Sequence, residues 1–410
     1  MTAMTRQARG QPAMTIPPEA ADRLRSGPVM IVDLAAVQAN FRLLARRSAG
    51  RAAAVVKGDG YGHGMIACAR ALERAGARTF FAARLDDALA LRRMLAPDTE
   101  VAALDGADGR SLAAAAGAGV VPVLNGPEQL EAALRLAAAR GSRLRAFVHI
   151  DTGMNRLGFG PRDLDRLAAG IGALDVAAYM THFAAADEGD IAFCRTQLRR
   201  FRAALRRLPP APVSVANSCG LFLGRAFHGD LTRPGKATFG INPLPGDRNP
   251  MTEPATVLAP VVQVRDLRRG DPVGYGSAWR APGRARIAVL AIGYANGYRR
   301  SAGNAGTVAF GGRTAPVVGR VSMDLTAVDV TGFPEGRIVP GSIAEIVGPS
   351  ISYRTLARSE GTNEHEALIA LGTGCPRVCV GSVPARADLP PDRDRETPPL
   401  PGQASTGEDR

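Results

Sequence analysis

Between about residue 50 and residue 235 the chain alternates two textures. Short apolar runs stand at Ala52–Lys57, Thr79–Ala82, Glu100–Leu104, Val120–Leu124, Arg145–Asp151, Asp175–His182, Pro212–Asn217 and Ala226–Arg233. Between them lie alanine- and leucine-rich stretches such as Gly64–Arg74, Asp86–Leu95, Pro127–Ala139 and Asp187–Leu208. Their apolar side chains return every three or four positions, the spacing that lines one face of a helix. Strands alternating with helices pair in parallel, through βαβ units. Roughly eight such units in about 200 residues is the count of a closed (β/α)8 barrel. The predicted fold class is therefore α/β, a TIM barrel. A doubly wound open sheet is the alternative, but no Gly-x-Gly-x-x-Gly turn opens a helix after the first strand.

After about Pro243 the pattern changes to short runs rich in β-branched residues: Val257–Val264, Ala285–Ile292, Gly306–Phe310, Ala315–Val318, Leu325–Val330 and Ile343–Val347. Clusters of Gly, Pro, Asn and Asp separate them, which predicts a compact all-β domain. The expected organisation is an N-terminal extension (1–28) without a core of its own, a barrel (29–243), a β domain (244–384) and a tail (385–410). The tail is rich in Pro, Asp, Glu and Arg and has too little to bury to fold, so it is expected to be disordered.

Composition narrows the function. With 46% hydrophobic and 22% charged residues the 410-residue chain reads as an ordinary soluble protein. No apolar run approaches the roughly 20 residues that cross a bilayer, and Met1–Pro18 has no apolar core of the signal-peptide kind. The expected location is the cytoplasm. Cys68, Cys194, Cys219, Cys375 and Cys379 are scattered, and no second pair completes a metal site around the last two. The net charge of +13 is spread along the chain, without the aromatic interleaving or local clustering that would suggest nucleic acid. Its quality tells more than its size: Lys57 and Lys236 are the only lysines, and arginine supplies the other basic residues.

One of those lysines stands in the sharpest motif of the chain, Ala53-Ala-Val-Val-Lys57-Gly-Asp-Gly-Tyr61-Gly-His63-Gly. An apolar strand ends in Lys57 and runs straight into a glycine-rich turn. Strand C-termini form the active face of a barrel. A lysine there, shielded by apolar neighbours, has a lowered pKa and can form a Schiff base with an aldehyde cofactor. The plainer reading is a surface lysine at a strand end.

This segment resembles the cofactor-attachment motif of alanine racemases, and the resemblance continues in order over about residues 30–384. It runs through Asp151-Thr-Gly-Met-Asn-Arg156-Leu-Gly, Thr181-His182-Phe-Ala-Ala-Ala-Asp187-Glu188, Ala216-Asn217-Ser218 and Arg233-Pro-Gly235. It ends with Gly274-Tyr275-Gly276, Ile292-Gly-Tyr294-Ala-Asn-Gly and Gly319-Arg320-Val-Ser-Met323-Asp324. The resemblance implies a pyridoxal 5'-phosphate (PLP) enzyme that interconverts L- and D-alanine and supplies D-alanine for peptidoglycan. It implies a homodimer with shared active sites, alanine as the small-molecule partner, and neither metal, nucleic acid nor membrane.

Residue roles follow from the same resemblance. Lys57 would carry PLP and serve as one base; Tyr275, reaching over from the other subunit, would be the second, tuned by His182 and beyond it Arg233. Arg233 would face the pyridine nitrogen. Tyr61, Ser218 and the amides of Gly235 and Lys236 would hold the phosphate. Arg156 and the Met323 amide would take the substrate carboxylate. Tyr294, Asp187 and Arg320 match an entry channel, with a salt bridge as the structural reading of the last two. Two departures stand out. Where many relatives carry a carbamylated lysine this chain has His149, leaving Arg156 to be positioned by His149 itself or by an anion. Where some relatives set a tyrosine over the phosphate, this chain has Leu371-Gly-Thr373-Gly-Cys375-Pro, which leaves that contact either missing or made by Thr373. The alternatives are a racemase of broader range and a non-catalytic PLP-binding paralogue. A decarboxylase is disfavoured by Arg233, because those enzymes oppose the pyridine nitrogen with a carboxylate.

Overall fold

The computed structural model describes residues 16–246 and 248–381. The tail from 385 and the first part of the N-terminal extension lie outside the described residues. Among those described, seven strands pair in parallel in chain order: Ala54–Val55, Thr79–Ala82, Glu100–Ala103, Val120–Leu124, Leu144–His149, Leu174–Met180 and Val213–Ser214. The ring closes through the parallel pair Arg51–Ala52 and Leu231–Thr232. The Ala53 amide donates to Thr232 O at 2.8 Å and the Val55 amide to Pro234 O at 3.1 Å, and Asn217 bridges Arg233 on the far side.

The strands are largely apolar because both faces are covered; the charged Glu100, Arg145 and Asp175 stand near their N-terminal ends, paired with one another. Inside the ring, small residues such as Ala102 and Ala178 interleave with Phe81 and Phe147, whose rings meet at 5.0 Å. Outside, the strands pack on helices that include Met65–Arg74, Leu85–Met94, Pro127–Arg140 and Ile191–Leu205. This is a filled barrel whose open end is the face where strands run into loops.

The second domain is built on an antiparallel sheet centred on the long strand Ala255–Leu267. That strand pairs with Ala285–Leu290 and Ile343–Val347, and also with Val29–Asp33. The last of these corrects the expected boundary at residue 29: an apolar run does not announce its pairing partner, and this one completes the distant sheet. Arg377–Val380 lies parallel on its other edge. Within the extension, Pro18–Arg23 forms a helix, and Ala20 and Leu24 pack with Val29, Leu258 and Val378 of that sheet. The domain also carries two helices that the strand-like texture concealed. Tyr353–Glu360 is capped by Ser352 and Glu364–Gly374 by Asn363, and the second of them reaches the barrel mouth.

Candidate functional site

A cavity of about 400 Å³ opens at the C-terminal end of the barrel strands, and Lys57 stands in its wall. The backbone beyond Lys57 is unusual: Gly58, Asp59, Gly60 and Tyr61 have φ of 62°, 51°, 63° and 54°. Such a run of left-handed residues costs free energy at each non-glycine position, so other contacts must hold it. Asp59 Oδ1 accepts the Met65 amide at 2.7 Å, and its other oxygen pairs with Arg377. Arg377 also donates to Gly62 O at 3.2 Å. A Cβ on Gly372 would lie 1.9 Å from Gly62 O, so the helix Glu364–Gly374 rests directly on the turn.

The turn delivers Tyr61 into the cavity between Phe239, stacked at 5.1 Å, and His365 at 5.9 Å. Burial holds its phenol well above the usual range, and among the described residues its hydroxyl has no hydrogen-bond partner. A Cβ on Gly235 would come within 2.2 Å of that hydroxyl, which is why glycine is required there. Ser218 Oγ accepts the amides of Gly235 at 3.0 Å and Ala237 at 3.2 Å. Lys236 also lines the cavity, as does Cys219. A buried unpartnered hydroxyl, a serine, an amide cluster and a lysine make a cradle for an anion such as a phosphate ester.

Arg233, 3% exposed, lines the same cavity. It donates to Ser214 Oγ and Thr181 O and approaches His182 Nδ1 at 3.5 Å. Burial lowers its pKa to about 10, so it keeps its proton at neutral pH. A guanidinium can only donate, so His182 Nδ1 is the acceptor and Nε2 carries the imidazole proton. Burial, with Arg233 and Lys57 next, holds His182 neutral. Burial and the nearby Arg156 and Arg233 likewise lower Lys57, against the pull of Asp105.

Arg156 lines the cavity on an exposed loop and has no hydrogen bond or ion pair among the described residues. Tyr275 and Met323 are not in this cavity. They project from β-domain loops, 71% and 55% exposed. Tyr294 is close to Met323, its amide bonded to Ser322 O at 3.0 Å, and Arg320 packs on Gly276 beside Tyr275. Asp187 is in the barrel cavity, and no ion pair joins it to Arg320 among the described residues. The expected barrel residues thus converge, while the β-domain residues form a separate exposed group.

Both domains have counterparts among known proteins. Residues 32–243 match the family model of the alanine racemase N-terminal domain, and residues 255–379 match that of the C-terminal domain. The chain belongs to the alanine racemase family. It is 40% identical over 374 residues to alanine racemase from Brucella suis, covering 87% of this chain and 94% of that one. The figure for the Acidiphilium cryptum alanine racemase is 41% over 356 residues, covering 86% and 98%. A solved alanine racemase from Bartonella henselae with covalently bound pyridoxal phosphate superposes with a TM-score of 0.83 at 33% identity, covering 87% of this chain and 100% of that one. The biosynthetic enzyme from Pseudomonas aeruginosa gives 0.80, also at 33%, over 86% and 99%. Alanine racemases are PLP-dependent isomerases, and the cradle beside Lys57 fits that cofactor.

Two details differ from the resemblance-based expectation. Thr373 is exposed, and its hydroxyl bonds back to Ile369 O at 2.8 Å; it is not over the cradle. The β-domain residue there is His365, whose pKa is pushed down to about 4 by burial and then by Lys236. His365 was not singled out from the sequence. The available signal was its place behind the Asn363 cap, on a helix that the strand-like texture hid. His149, for its part, makes no direct hydrogen bond to Arg156; its partner is Asn125, at 2.9 Å.

Proposed function

We propose that this chain interconverts L- and D-alanine, with PLP joined to Lys57 and with Lys57 and Tyr275 removing and returning the α-proton on opposite faces. The observation that carries the reading is the wall of the cavity. A lysine of lowered pKa and a neutral histidine stand in it with a phosphate cradle and a buried guanidinium. Tyr61, Ser218, Gly235, Lys236 and His365 would hold the phosphate. Bound there, the cofactor acidifies the α-C–H of an attached amino acid by spreading the resulting charge.

The chain's own groups restrain and direct that acidity. Arg233 keeps its proton and can only donate, so a pyridine nitrogen set against it would stay unprotonated. This restraint favours proton exchange over transamination and decarboxylation. Racemisation needs a proton taken from one face and given to the other, so two positioned groups are the minimum. Lys57, whose pKa burial and two guanidiniums lower, is one such group. His182 Nε2–H is the donor available to a phenolate, with Arg233 behind it.

Tyr275 is too exposed to serve the cavity of its own chain. We infer a head-to-tail homodimer in which Tyr275 and the Met323 amide complete the partner's site, with Arg156 and Met323 taking the substrate carboxylate. Tyr294, Asp187 and Arg320 then border the entry. A cytoplasmic location suits the supply of D-alanine to peptidoglycan precursors; among the described residues no helix is long and apolar enough to cross a membrane.

The test is direct. Purified chain with PLP should bring L-alanine and D-alanine to equal amounts from either side. Faster racemisation of serine or of a longer amino acid would replace alanine with a broader substrate range. An absorbance band of bound PLP without any racemisation would leave only the non-catalytic reading.

A further inference from the structure

Asn125 follows the strand Val120–Leu124, and its side chain cannot turn over. Its Nδ2 donates to Leu104 O at 2.9 Å and to Val123 O at 3.1 Å. Both are carbonyls, which only accept, so that end of the amide must be the NH2. Oδ1 is thereby left facing His149 Nδ1 at 2.9 Å. An amide oxygen only accepts, so Nδ1 must carry the imidazole proton. A neutral imidazole has one such proton, and the lone pair is therefore on Nε2. This is the opposite tautomer to that of His182.

The His149 ring is 8% exposed and lines the cavity together with Arg156. Among the described residues neither Nε2 nor the Arg156 guanidinium has a hydrogen-bond partner. Burial first, then Arg233 and Arg156, push the His149 pKa down to about 4 against the pull of Asp151. The ring is thus a neutral acceptor beside cations, and protonation would set like charges together.

Asn125 also anchors the loop that presents Arg156. Its carbonyl accepts the Gly158 amide at 3.0 Å, and His149 O accepts the Phe159 amide at 2.7 Å. Within the loop, Asp151 Oδ1 gathers the amides of Gly153, Met154 and Asn155 at 3.0, 3.0 and 3.2 Å. One residue therefore holds both the acceptor ring and the exit of the loop.

We propose that Asn125 and His149 are a positioning pair for Arg156: Asn125 fixes the tautomer, and His149 Nε2 accepts from the guanidinium when it turns inward onto a substrate carboxylate. The pair does without charge what an anionic side chain would do, and it owes nothing to dissolved carbon dioxide. The inference rests on Arg156 being the carboxylate-binding arginine proposed above.

The experiment uses the PLP-loaded full chain with 15N-labelled histidine, the His149 signals being assigned by their loss in His149→Gln. Nδ1 should read as protonated and Nε2 as bare throughout pH 6 to 8. A proton on Nε2 at pH 7 would overturn the pair. Propionate, a carboxylate that cannot react, then reads the arginine by titration against the cofactor absorbance. Asn125→Leu should weaken propionate about tenfold and raise KM for alanine similarly, with kcat changed less than threefold. Asn125→Asp, nearly isosteric, should place a second proton on the ring and make propionate binding pH-dependent. Weaker propionate binding in Arg156→Ala but not in either Asn125 variant would remove the pair and leave the role of Arg156 intact. Unchanged binding in Arg156→Ala would remove that role, and the inference with it.

Discussion

The barrel mouth and the β-domain face are built on opposite plans. Arg233, Tyr61, His149 and Ser218 are all buried, and hydrogen bonds fix Arg233, His149 and Ser218 in place; Arg156 stands on an exposed loop. On the β-domain face Tyr275, Met323, Leu325 and Tyr294 are exposed, apolar or aromatic side chains that a monomer has little reason to display together. The first region is preorganised within one chain: its tautomers, charges and cradle are set before any ligand arrives. The second has its loops shaped but its side chains uncommitted. In the proposed dimer the active site would be half finished by folding and half by association.

The largest expected effect tests the finished half. Lys57→Ala should leave no measurable turnover. Borohydride reduction of the loaded wild-type chain should label the peptide containing Lys57; a label on Lys236 would mean the cofactor sits elsewhere. Next comes the unfinished half. Tyr275→Phe should slow α-proton exchange of L-alanine in deuterium oxide by on the order of 10² to 10⁴, while D-alanine keeps exchanging through Lys57. Equal slowing of both enantiomers, read by NMR, would reduce Tyr275 to an orienting role.

Mixing the two variants sharpens the comparison further. If subunits exchange, random pairing makes half the dimers hybrids with one intact site, so roughly a quarter of wild-type activity should return. No recovery, with exchange demonstrated, would mean that each chain supplies its own tyrosine.

A smaller effect concerns stability. All five histidines have lowered pKa values, and His63, His149 and His365 lie at about 4. Below pH 6.5 the unfolded chain takes up protons that the folded chain refuses, so this contribution is present above 6.5 and lost as pH falls towards 4. Glu253 and Glu360, raised by burial to about 7, act the other way, their contribution being lost as pH rises towards 7. The two sets oppose each other, so single variants must read them. Thermal melts of His365→Gln should flatten the acid limb of the stability profile, and those of Glu360→Gln the neutral one, each by roughly 1 to 2 kcal/mol. The smallest expected effect is none at all: bicarbonate depletion should leave activity unchanged, because His149 cannot form a carbamate.

The barrel was legible because strands covered on both faces are largely apolar, and their ends then place Lys57, Arg233 and His182 on one rim. Other features left no such trace. Val29–Asp33 has the same apolar texture whichever sheet it joins. The helix bearing His365 is one whose capping residue, Asn363, is also a common loop residue. The tautomer of His149 depends on two main-chain carbonyls, Leu104 and Val123, that no side-chain pattern encodes. What periodicity conveys is burial; what it omits is the partner.

The ion pair between Asp59 and Arg377 joins positions 318 residues apart, and that span has a consequence for biosynthesis. A ribosome delivers Lys57 early and Arg377 near the end. Until the last strand emerges, the left-handed turn lacks both its arginine clasp and the helix that rests on Gly62. The nascent barrel therefore spends most of its translation with its cofactor lysine on an unclamped loop. Long-range closure of this kind is slow relative to local folding. If Lys57 captures PLP as proposed, a turn that must first be clasped would make capture wait for Arg377 and the helix on Gly62 to dock.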